Sequence, residues 1–338
     1  MKRVEIVAEV GSVHDGSFGN AKQMIRLAAN LGVDAVKFQT HIAEAETLRS
    51  APNPSYFRDE GRLEYFKRTA FSLEQHLELR DCAEECGVEF MSSPFSLEAV
   101  DLLEEVGVRS YKVASGEITN HPLLISIANT GKRVILSSGM SDWEELDQAI
   151  DLLEKNGSGP LSLLQCTSEY PCPPEHAGIN VMEEMGARYG LPVGFSDHTV
   201  GSAVAILAIC RGACFIEKHL TFHRGMYGSD ARNASTPEEF AQLVEAIRTV
   251  ERAEANPVDK DGFVQSLRHM KQTFEKSIVS ATELPKGHVL QERDLAYKKP
   301  GDGIPARRFK ELKGRQLKTA VSPDHPFAWD DFSSESTP

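Results

Sequence analysis

The chain has 338 residues, a length that suits a barrel domain of roughly 250 residues with a small second module. Its hydrophobic share of 41% is typical of a soluble globular protein, and its net charge of −13 argues against a general nucleic-acid surface. The start MKRVEIVAEVG lacks an apolar signal region, and no apolar run reaches the roughly 18 residues that a membrane span needs. We therefore expect a cytoplasmic protein whose six cysteines stay free thiols.

Short β-rich runs alternate with longer helical patterns along most of the chain. The first helix is predicted to have Asn20 as its N-cap and to end at Gly32, and later helices are predicted at Trp143–Lys155 and Pro237–Ala253. The eight predicted strands are Val4–Glu9, Ala35–Gln39, Glu89–Met91, Ser110–Val113, Arg133–Leu136, Leu161–Leu164, Pro192–Phe195 and Cys214–Glu217. Eight such units predict an α/β fold, a closed (β/α)8 TIM barrel over residues 1–256.

A doubly wound open sheet is the alternative α/β fold. That fold usually carries a glycine-rich phosphate fingerprint, GxGxxG, after its first strand. Here the corresponding turn reads EVGSVHDG, which favours the barrel. The polar and aromatic stretch Thr40–Thr69 is predicted to be a long loop after the second strand, on the active face of the barrel.

The pattern changes after about residue 256. A charged helix, Val264–Phe274, leads into short β-runs at Ser277–Ala281 and Leu317–Val321 that are separated by proline and glycine turns. So small a β-rich module is marginal for independent stability, so we expect it to dock on a barrel. The predicted segments are a linker helix at 257–275, the β-rich module at 276–332 and a disordered tail at 333–338.

Polar residues stand at the carboxyl end of every predicted strand. Active sites of TIM barrels form at this end, so these side chains are candidates for function. In chain order they are Glu9, Lys37, Gln39, Ser92, Ser93, Lys112, Ser115, Glu117, Ser137, Ser138, Gln165, Thr167, Ser168, Tyr170, Ser196, Asp197, His198, Lys218 and His219.

Two lysines and two histidines carry the strongest signals. Lys37 and Lys112 lie in apolar strands, where a lysine needs a partner, and with the nearby hydroxyls they suit a phosphate and a carboxylate. The alternative is that their side chains reach water at the barrel rim. His198 and His219 follow adjacent strands and suit a divalent metal with open coordination positions, or an acid–base role.

These motifs together resemble the sialic acid synthase family, the phosphoenolpyruvate-condensing synthases of nonulosonic acids. The likeness covers nearly the whole chain in order. The matching strings are EVGSVHDG from Glu9, VKFQT from Val36, YKVASGE from Tyr111, LSSGM from Leu136, LQCTSEYP from Leu164, GFSDHT from Gly194 and IEKH from Ile216. In the tail, LPKG from Leu284, KPGDGI from Lys299 and LKG from Leu312 resemble the family's antifreeze-like cap, a SAF domain.

The resemblance implies a cytoplasmic homodimer whose cap covers the partner's active site, with phosphoenolpyruvate and an amino sugar as substrates. It assigns catalysis to Glu9, Lys37 and Lys112, with Glu9 orienting or deprotonating the attacking water. It implies a phosphoenolpyruvate site of Lys37, Ser93, Lys112, Ser115, Ser138, Ser168 and Ser196. It implies a sugar site of Gln39, Glu117, Tyr170, Asp230 and Lys299. Mn2+ or Mg2+ would be held by His198 and His219.

Four positions depart from the family pattern. Val13 and Ser168 stand where asparagine is usual, Ala231 where histidine is usual, and Lys299 where arginine is usual. The acceptor is therefore open among N-acetylmannosamine, its 6-phosphate and the diacetamido precursors of legionaminic or pseudaminic acid. Rival interpretations are another phosphoenolpyruvate-dependent synthase, a lysine Schiff-base aldolase and a non-catalytic sugar-binding scaffold.

Overall fold

The computed structural model describes residues 3–53, 60–228 and 230–333 of the chain. The chain divides into two compact units, Met1–Ala255 and Asn256–Pro338. Each unit has its own core of buried apolar side chains. Among the described residues, no helix is both long enough and apolar enough to cross a membrane.

Eight parallel strands close into a barrel in the first unit, each pairing with the next and the last with the first. They are β1 Glu5–Gly11, β2 Ala35–Thr40, β3 Glu89–Pro94, β4 Ser110–Val113, β5 Arg133–Ser137, β6 Leu161–Cys166, β7 Val193–Asp197 and β8 Phe215–His219. The helices are α1 Phe18–Asn30, α2 Ala43–Glu46, α3 Arg62–Thr69, α4 Leu73–Glu85, α5 Leu97–Val106, α6 His121–Asn129, α7 Trp143–Lys155, α8 Ile179–Tyr189, α9 Ala203–Cys210 and α10 Pro237–Ala255. The predicted TIM barrel is confirmed.

Most strands extend further than their apolar runs predicted. For example, β3 reaches Pro94 rather than Met91, and β8 reaches His219 rather than Glu217. Strand pairing uses main-chain groups, so it continues where the side chains become polar. The polar strand ends are therefore held by the barrel itself rather than by flexible loops.

An apolar layer fills the interior of the barrel. Its buried side chains are Val7, Ala35, Met91, Ile135, Leu164 and Phe215. Because side chains alternate across a strand, the residue two positions further along each strand faces the same interior. Those next residues are Glu9, Lys37, Ser93, Ser137, Cys166 and Glu217. The fold thus places a polar layer directly above an apolar one, at the carboxyl ends of the strands.

Two predictions about the connections are wrong. The N-cap of α1 is Ser17, whose side chain accepts from the backbone N–H of Asn20, so Asn20 lies inside the first turn. The stretch Thr40–Thr69 is not simply a loop, because it contains α2 and α3; its residues 54–59 lie outside the described residues. Tyr65 is buried on α3, and this packing stabilises a helix that the polar composition did not indicate.

The second unit begins with two short helices, α11 Lys260–Ser266 and α12 Arg268–Phe274. The single predicted helix is therefore two helices that meet at Leu267. An antiparallel pair follows, β9 Ser277–Ser280 with β10 Leu295–Lys298. Its core contains Ile278, Leu284, Leu290, Leu295, Ile304, Leu312, Leu317, Val321, Phe327 and Phe332.

Two predictions for this unit also need correction. Leu317–Val321 is not a strand, because Leu317 and Val321 each contribute only an isolated bridge while their side chains enter the core. The predicted disordered tail, 333–338, lies outside the described residues except for Ser333. The amide of Ser333 donates to the carbonyl oxygen of Gln316 at 3.0 Å, so this residue is ordered.

Candidate active site

Two lysines and two glutamates form a buried network in the polar layer, which we call the ionic cluster. Nζ of Lys112 lies 3.0 and 3.1 Å from the two carboxylate oxygens of Glu217. Nζ of Lys37 lies 2.7 Å from Oε2 of Glu9 and 3.8 Å from Oε2 of Glu217, and it donates to Oγ of Ser93 at 3.3 Å. None of the four charged residues is more than 6% exposed. The predicted residues Glu9, Lys37 and Lys112 are therefore brought together.

Opposite charges favour the ionised forms of Glu217 and Lys37. Burial acts to raise the pKa of Glu217, but the ammonium groups of Lys112 and Lys37 outweigh it and hold that pKa well below its ordinary value. Burial acts to lower the pKa of Lys37, and the carboxylates of Glu217 and Glu9 raise it instead. Two ammonium groups at the carboxyl end of a barrel suit an anion such as a phosphate or a carboxylate.

Glu217 was not among the residues predicted for this site. The sequence nevertheless carries a signal, because Glu217 stands two residues before His219 and so shares one face of β8 with it. A carboxylate in an apolar strand also needs a cationic partner. The hydroxyl of Ser196 donates to Oε1 of Glu217 at 3.1 Å, which connects the predicted Ser196 to the ionic cluster.

Gly11 marks the point where three predicted residues meet. Its φ is +52°, and a Cβ added there would lie 2.5 Å from Oδ2 of Asp230, 3.2 Å from Nε2 of Gln39 and 3.4 Å from Oε1 of Glu9. Nε2 of Gln39 donates to Oε1 of Glu9 at 2.8 Å. Both the backbone conformation and the crowding therefore require glycine here.

Asp230 is anchored to the loop after β1. Its Oδ2 accepts from the backbone N–H of Ser12 at 3.1 Å and from the Ser12 hydroxyl at 3.2 Å. The hydroxyl of Tyr65 donates to Oγ of Ser12 at 2.8 Å. Sequence reasoning missed Ser12 and Tyr65, because only the packing of α3 against this loop brings them to the site.

His198 and His219 face each other across the ends of β7 and β8, with ring centroids 5.6 Å apart. Nδ1 of His198 lies 2.9 Å from the carbonyl oxygen of Thr167, so it donates there, and in the neutral ring Nε2 is then the acceptor. In the described part of the chain, the buried Nδ1 of His219 has no hydrogen-bond partner. The ring of Tyr170 packs 4.2 Å from that of His198. The predicted pair is therefore formed.

Two serines lie against Gly139, and a third is bonded to one of them. A Cβ added to Gly139 would lie 2.5 Å from Oγ of Ser168 and 2.6 Å from Oγ of Ser115. The backbone N–H of Gly139 donates to Oγ of Ser115, which in turn lies 3.0 Å from Oγ of Ser137. The predicted residues Ser115 and Ser168 thus lie on one side of the polar layer, together with Ser137.

The hydroxyl of Ser138 has a different environment. It lies 3.0 Å from the carbonyl oxygen of Leu164 and 3.2 Å from Oε1 of Gln165. Ser137, one residue earlier, is the serine whose side chain faces the barrel interior with Ser115. The strand alternation therefore makes Ser137, not Ser138, the side-chain hydroxyl of the polar layer.

Cys166 also belongs to the polar layer, although the sequence did not single it out. Its Sγ lies 3.9 Å from Nδ1 of His198. Burial acts to raise the pKa of this thiol, but His198 and Lys112 lower it to about 7.

Two predicted sugar-site residues, Glu117 and Lys299, make contacts outside the ionic cluster. Oε2 of Glu117 accepts from Nδ2 of Asn120 at 2.8 Å, which anchors it near the start of α6, and burial raises the pKa of Glu117. Lys299 belongs to the second unit, where its Nζ lies 4.8 Å from the centroid of the Phe274 ring and its side chain is exposed.

Comparisons with known families agree with this arrangement. The NeuB family profile matches residues 24–259, and the SAF domain profile matches residues 275–333. The chain belongs to the NeuB family.

Relatives of this NeuB chain match it over most of its length. It is 37% identical over 322 residues to N,N′-diacetyllegionaminic acid synthase of Campylobacter jejuni, covering 93% of this chain and 96% of that protein. It is 32% identical over 326 residues to N-acetylneuraminate-9-phosphate synthase of Homo sapiens, covering 94% and 90%. The crystal structure of N-acetylneuraminic acid synthetase from Leptospira borgpetersenii is 30% identical, with a TM-score of 0.69 over 79% of this chain and 92% of that one. Like these synthases, the chain is an enzyme.

Two departures of this NeuB chain are now located. Val13 is 1% exposed and packs in the core of the barrel unit, and Ala231 is fully buried next to Asp230. Because both positions are buried, the asparagine or histidine that is usual there would need a hydrogen-bond partner, whereas valine and alanine do not.

Proposed function

We propose that this enzyme condenses phosphoenolpyruvate with an N-acylated amino-sugar aldehyde to give a sialic-acid-type nonulosonic acid and inorganic phosphate. The three-carbon enolpyruvate unit and a six-carbon aldehyde supply the nine carbons of such a product. The observation that carries the proposal is the ionic cluster, which brings two buried lysines together at the carboxyl ends of the strands, the same end of the barrel as the paired histidines. The named relatives are synthases of this class of acid, which supports the same conclusion.

Lys37 and Lys112 would hold the phosphate and the carboxylate of phosphoenolpyruvate. Each ammonium group has three protons, so it can keep its carboxylate partner and still donate to an incoming anion. The surrounding hydroxyls would add donors. The serines that we propose for this role are Ser93, Ser115, Ser137, Ser168 and Ser196. Ser138, which the resemblance also implies, stays a proposed member of the same site.

In the proposed reaction, C3 of phosphoenolpyruvate attacks the aldehyde carbon and forms the new C–C bond. The aldehyde oxygen takes up a proton, and C2 becomes an oxocarbenium-like centre. Glu9 orients a water for attack on C2 and accepts its proton, and the C2–O bond to phosphate then breaks. Glu9 suits this role because Lys37 and Gln39 fix its carboxylate by direct contacts.

His198 and His219 fit a divalent cation, for which we propose Mn2+ or Mg2+. The unpartnered Nδ1 of His219 and the acceptor Nε2 of His198 are the kind of nitrogen that Mn2+ accepts more readily than Mg2+. Such a cation would act as a Lewis acid toward the aldehyde oxygen. Among the described residues no group of three or more His, Cys, Asp or Glu side chains is placed to hold a metal, so the proposed cation would have His198 and His219 as its protein ligands, and substrate and water would have to complete its coordination.

The sugar would contact Gln39, Glu117, Tyr170 and Asp230. N-acetylmannosamine, its 6-phosphate and the diacetamido sugars are the candidate acceptors. The likeness to a diacetyllegionaminic acid synthase supports a diacetamido sugar.

We also propose that the enzyme is a homodimer. Helices α11 and α12 expose several large apolar side chains, and exposed apolar patches of this kind mark protein–protein contacts. They are Phe263, Leu267, Met270 and Phe274. A fully active monomer by light scattering at micromolar concentration would contradict this proposal.

The proposed function is tested by phosphate release from phosphoenolpyruvate with a panel of N-acyl hexosamines. We expect acceptor-dependent phosphate release and a nine-carbon acid by mass spectrometry. Borohydride trapping with pyruvate should leave the protein unlabelled, whereas a lysine Schiff-base aldolase would be labelled. No phosphate release with any acceptor would overturn the proposal.

A further inference from the structure

His41, at the end of β2, has both ring nitrogens placed against acceptors. Nδ1 lies 2.8 Å from Oε1 of Glu46, and Nε2 lies 3.2 Å from Oε1 of Gln39. The amide of Gln39 is oriented by Glu9, because a carboxylate can only accept and so requires the amide N–H on its side. The carbonyl oxygen of Gln39 must then face His41. This contact requires a proton on Nε2 of His41.

The surroundings of His41 fix its ring in this position. It is stacked between the rings of Phe66, with a centroid distance of 3.9 Å, and Phe95, at 4.3 Å. His41 is 8% exposed, and the side chain of Glu46 is 6% exposed. The sandwich therefore fixes the plane of the His41 ring and keeps Nε2 directed toward Gln39.

We propose that His41 is a positioning residue for the reaction, acting through Gln39 on Glu9. The hydrogen-bonded chain Glu46–His41–Gln39–Glu9 holds the Gln39 amide in the single orientation that donates to Glu9. Without a donor at Nε2, the carbonyl oxygen of Gln39 loses its partner, and only the contact with Glu9 still holds the amide. The amide N–H that Glu9 accepts from is then less firmly placed. The kinetic consequence rests on the proposed function of Glu9, but the hydrogen-bond chain does not.

Two matched substitutions separate a positioning role from a packing role. His41→Phe keeps an aromatic ring between the two phenylalanines and removes both donors. His41→Gln loses the stacked ring, but its amide nitrogen takes the place of Nε2 and still donates to Gln39. Both variants remove the partner of Glu46, so that effect is common to them. If His41 acts only by packing, His41→Phe should retain the higher turnover. If His41 positions Gln39, His41→Gln should retain the higher turnover.

We expect His41→Gln to turn over at least about 10-fold faster than His41→Phe, since misplacing a catalytic group costs up to the order of 100-fold. The KM for phosphoenolpyruvate should stay similar in both variants, because Lys37 and Lys112 are unchanged. Thermal unfolding of each variant checks that it is folded. Equal turnover in the two variants, or faster turnover in His41→Phe, overturns the proposal.

A second measurement does not depend on activity. In wild-type protein with 15N-labelled histidine, NMR reports whether each ring nitrogen carries a proton, and His41→Phe identifies the signal of His41. We expect Nε2 of His41 to be protonated at neutral pH, and an unprotonated Nε2 overturns the proposal. If the wild type releases no phosphate with any acceptor, the proposed function fails and the nitrogen spectrum alone decides this inference.

Discussion

Nζ of Lys112 lies 3.0 Å and 3.1 Å from the two carboxylate oxygens of Glu217, and both residues are almost inaccessible to water. This contact ties β4 to β8 across the barrel interior and joins residues that are 105 positions apart in the chain. Glu217 also faces Lys37, so a single carboxylate stabilises two buried ammonium groups.

Removal of Glu217 should therefore destabilise the barrel strongly. In Glu217→Ala, two buried lysines lose a counter-charge, and we expect the free energy of unfolding to fall by about 3–5 kcal/mol. Urea denaturation measures this change. The matched control is Asp151→Ala, which breaks the exposed ion pair with Lys155 and should change stability by less than about 1 kcal/mol. Similar losses in the two variants would contradict this account of the ionic cluster.

Glu9 should be needed for turnover more than for binding. Glu9→Gln keeps the size of the side chain but removes the charge that pairs with Lys37. We expect kcat to fall by about 100-fold or more while KM for phosphoenolpyruvate changes little, as for a group that acts in the transition state. Glu5→Gln, at the other end of the same strand, should leave kcat unchanged. A large rise in KM with an intact kcat would place Glu9 in substrate binding instead.

Removal of a divalent cation should abolish turnover. Chelation followed by readdition of Mn2+ or Mg2+ should restore it, and the ion that restores more activity is the preferred one. His198→Ala and His219→Ala should each weaken Mn2+ binding by at least about 10-fold in a direct titration, with the barrel still folded by circular dichroism. His269→Ala, on α12, is the control. Normal activity of both variants in metal-free buffer would exclude the metal site.

Lys299 should affect which sugar is preferred. Lysine keeps the positive charge of the family's arginine but lacks its planar two-pronged donor set. We expect Lys299→Ala to lower kcat/KM for the preferred acceptor by about 10-fold and Lys299→Arg to change the ranking of the sugar panel. Unchanged kcat/KM for every sugar in Lys299→Ala would make Lys299 a surface residue that stacks on Phe274 only.

Asp294 should make the stability of the second unit depend on pH. Burial acts to raise the pKa of Asp294, but hydrogen bonds from His288 and from the backbone of Gln291 lower that pKa below its ordinary value. The stabilisation is thus complete above about pH 4 and is lost as the pH falls through the lowered pKa. Asp294→Asn should remove this dependence and cost about 1 kcal/mol at neutral pH.

The fluorescence of Trp329 in a Trp143→Phe background follows the second unit alone, because the chain has two tryptophans and Trp143 lies in the barrel unit. Denaturation at pH 7, 5 and 3 then measures the Asp294 effect. The prediction fails if wild type and Asp294→Asn lose the same stability between pH 5 and pH 3.

The sequence by itself determined the barrel, the SAF-type second unit and the identity of the residues at the strand ends. The barrel and its polar strand ends follow from local patterns, which are apolar runs, helical periodicity, and glycine or proline turns. The SAF-type assignment of the second unit follows from the resemblance of its motifs to a known cap domain. The pairing of His198 with His219 was also predictable, because adjacent parallel strands end at the same edge of a sheet.

Only the tertiary structure decided which side chains meet. Lys112 contacts Glu217 because the barrel closes. Ser137 rather than Ser138 faces Ser115 because side chains alternate between the two faces of β5. Ser12 contacts Tyr65 because α3 packs over the loop after β1. None of these contacts has a fixed spacing along the chain. Each depends on the closure of eight strands and on helix packing, which are set by the free energy of the whole core rather than by any local pattern.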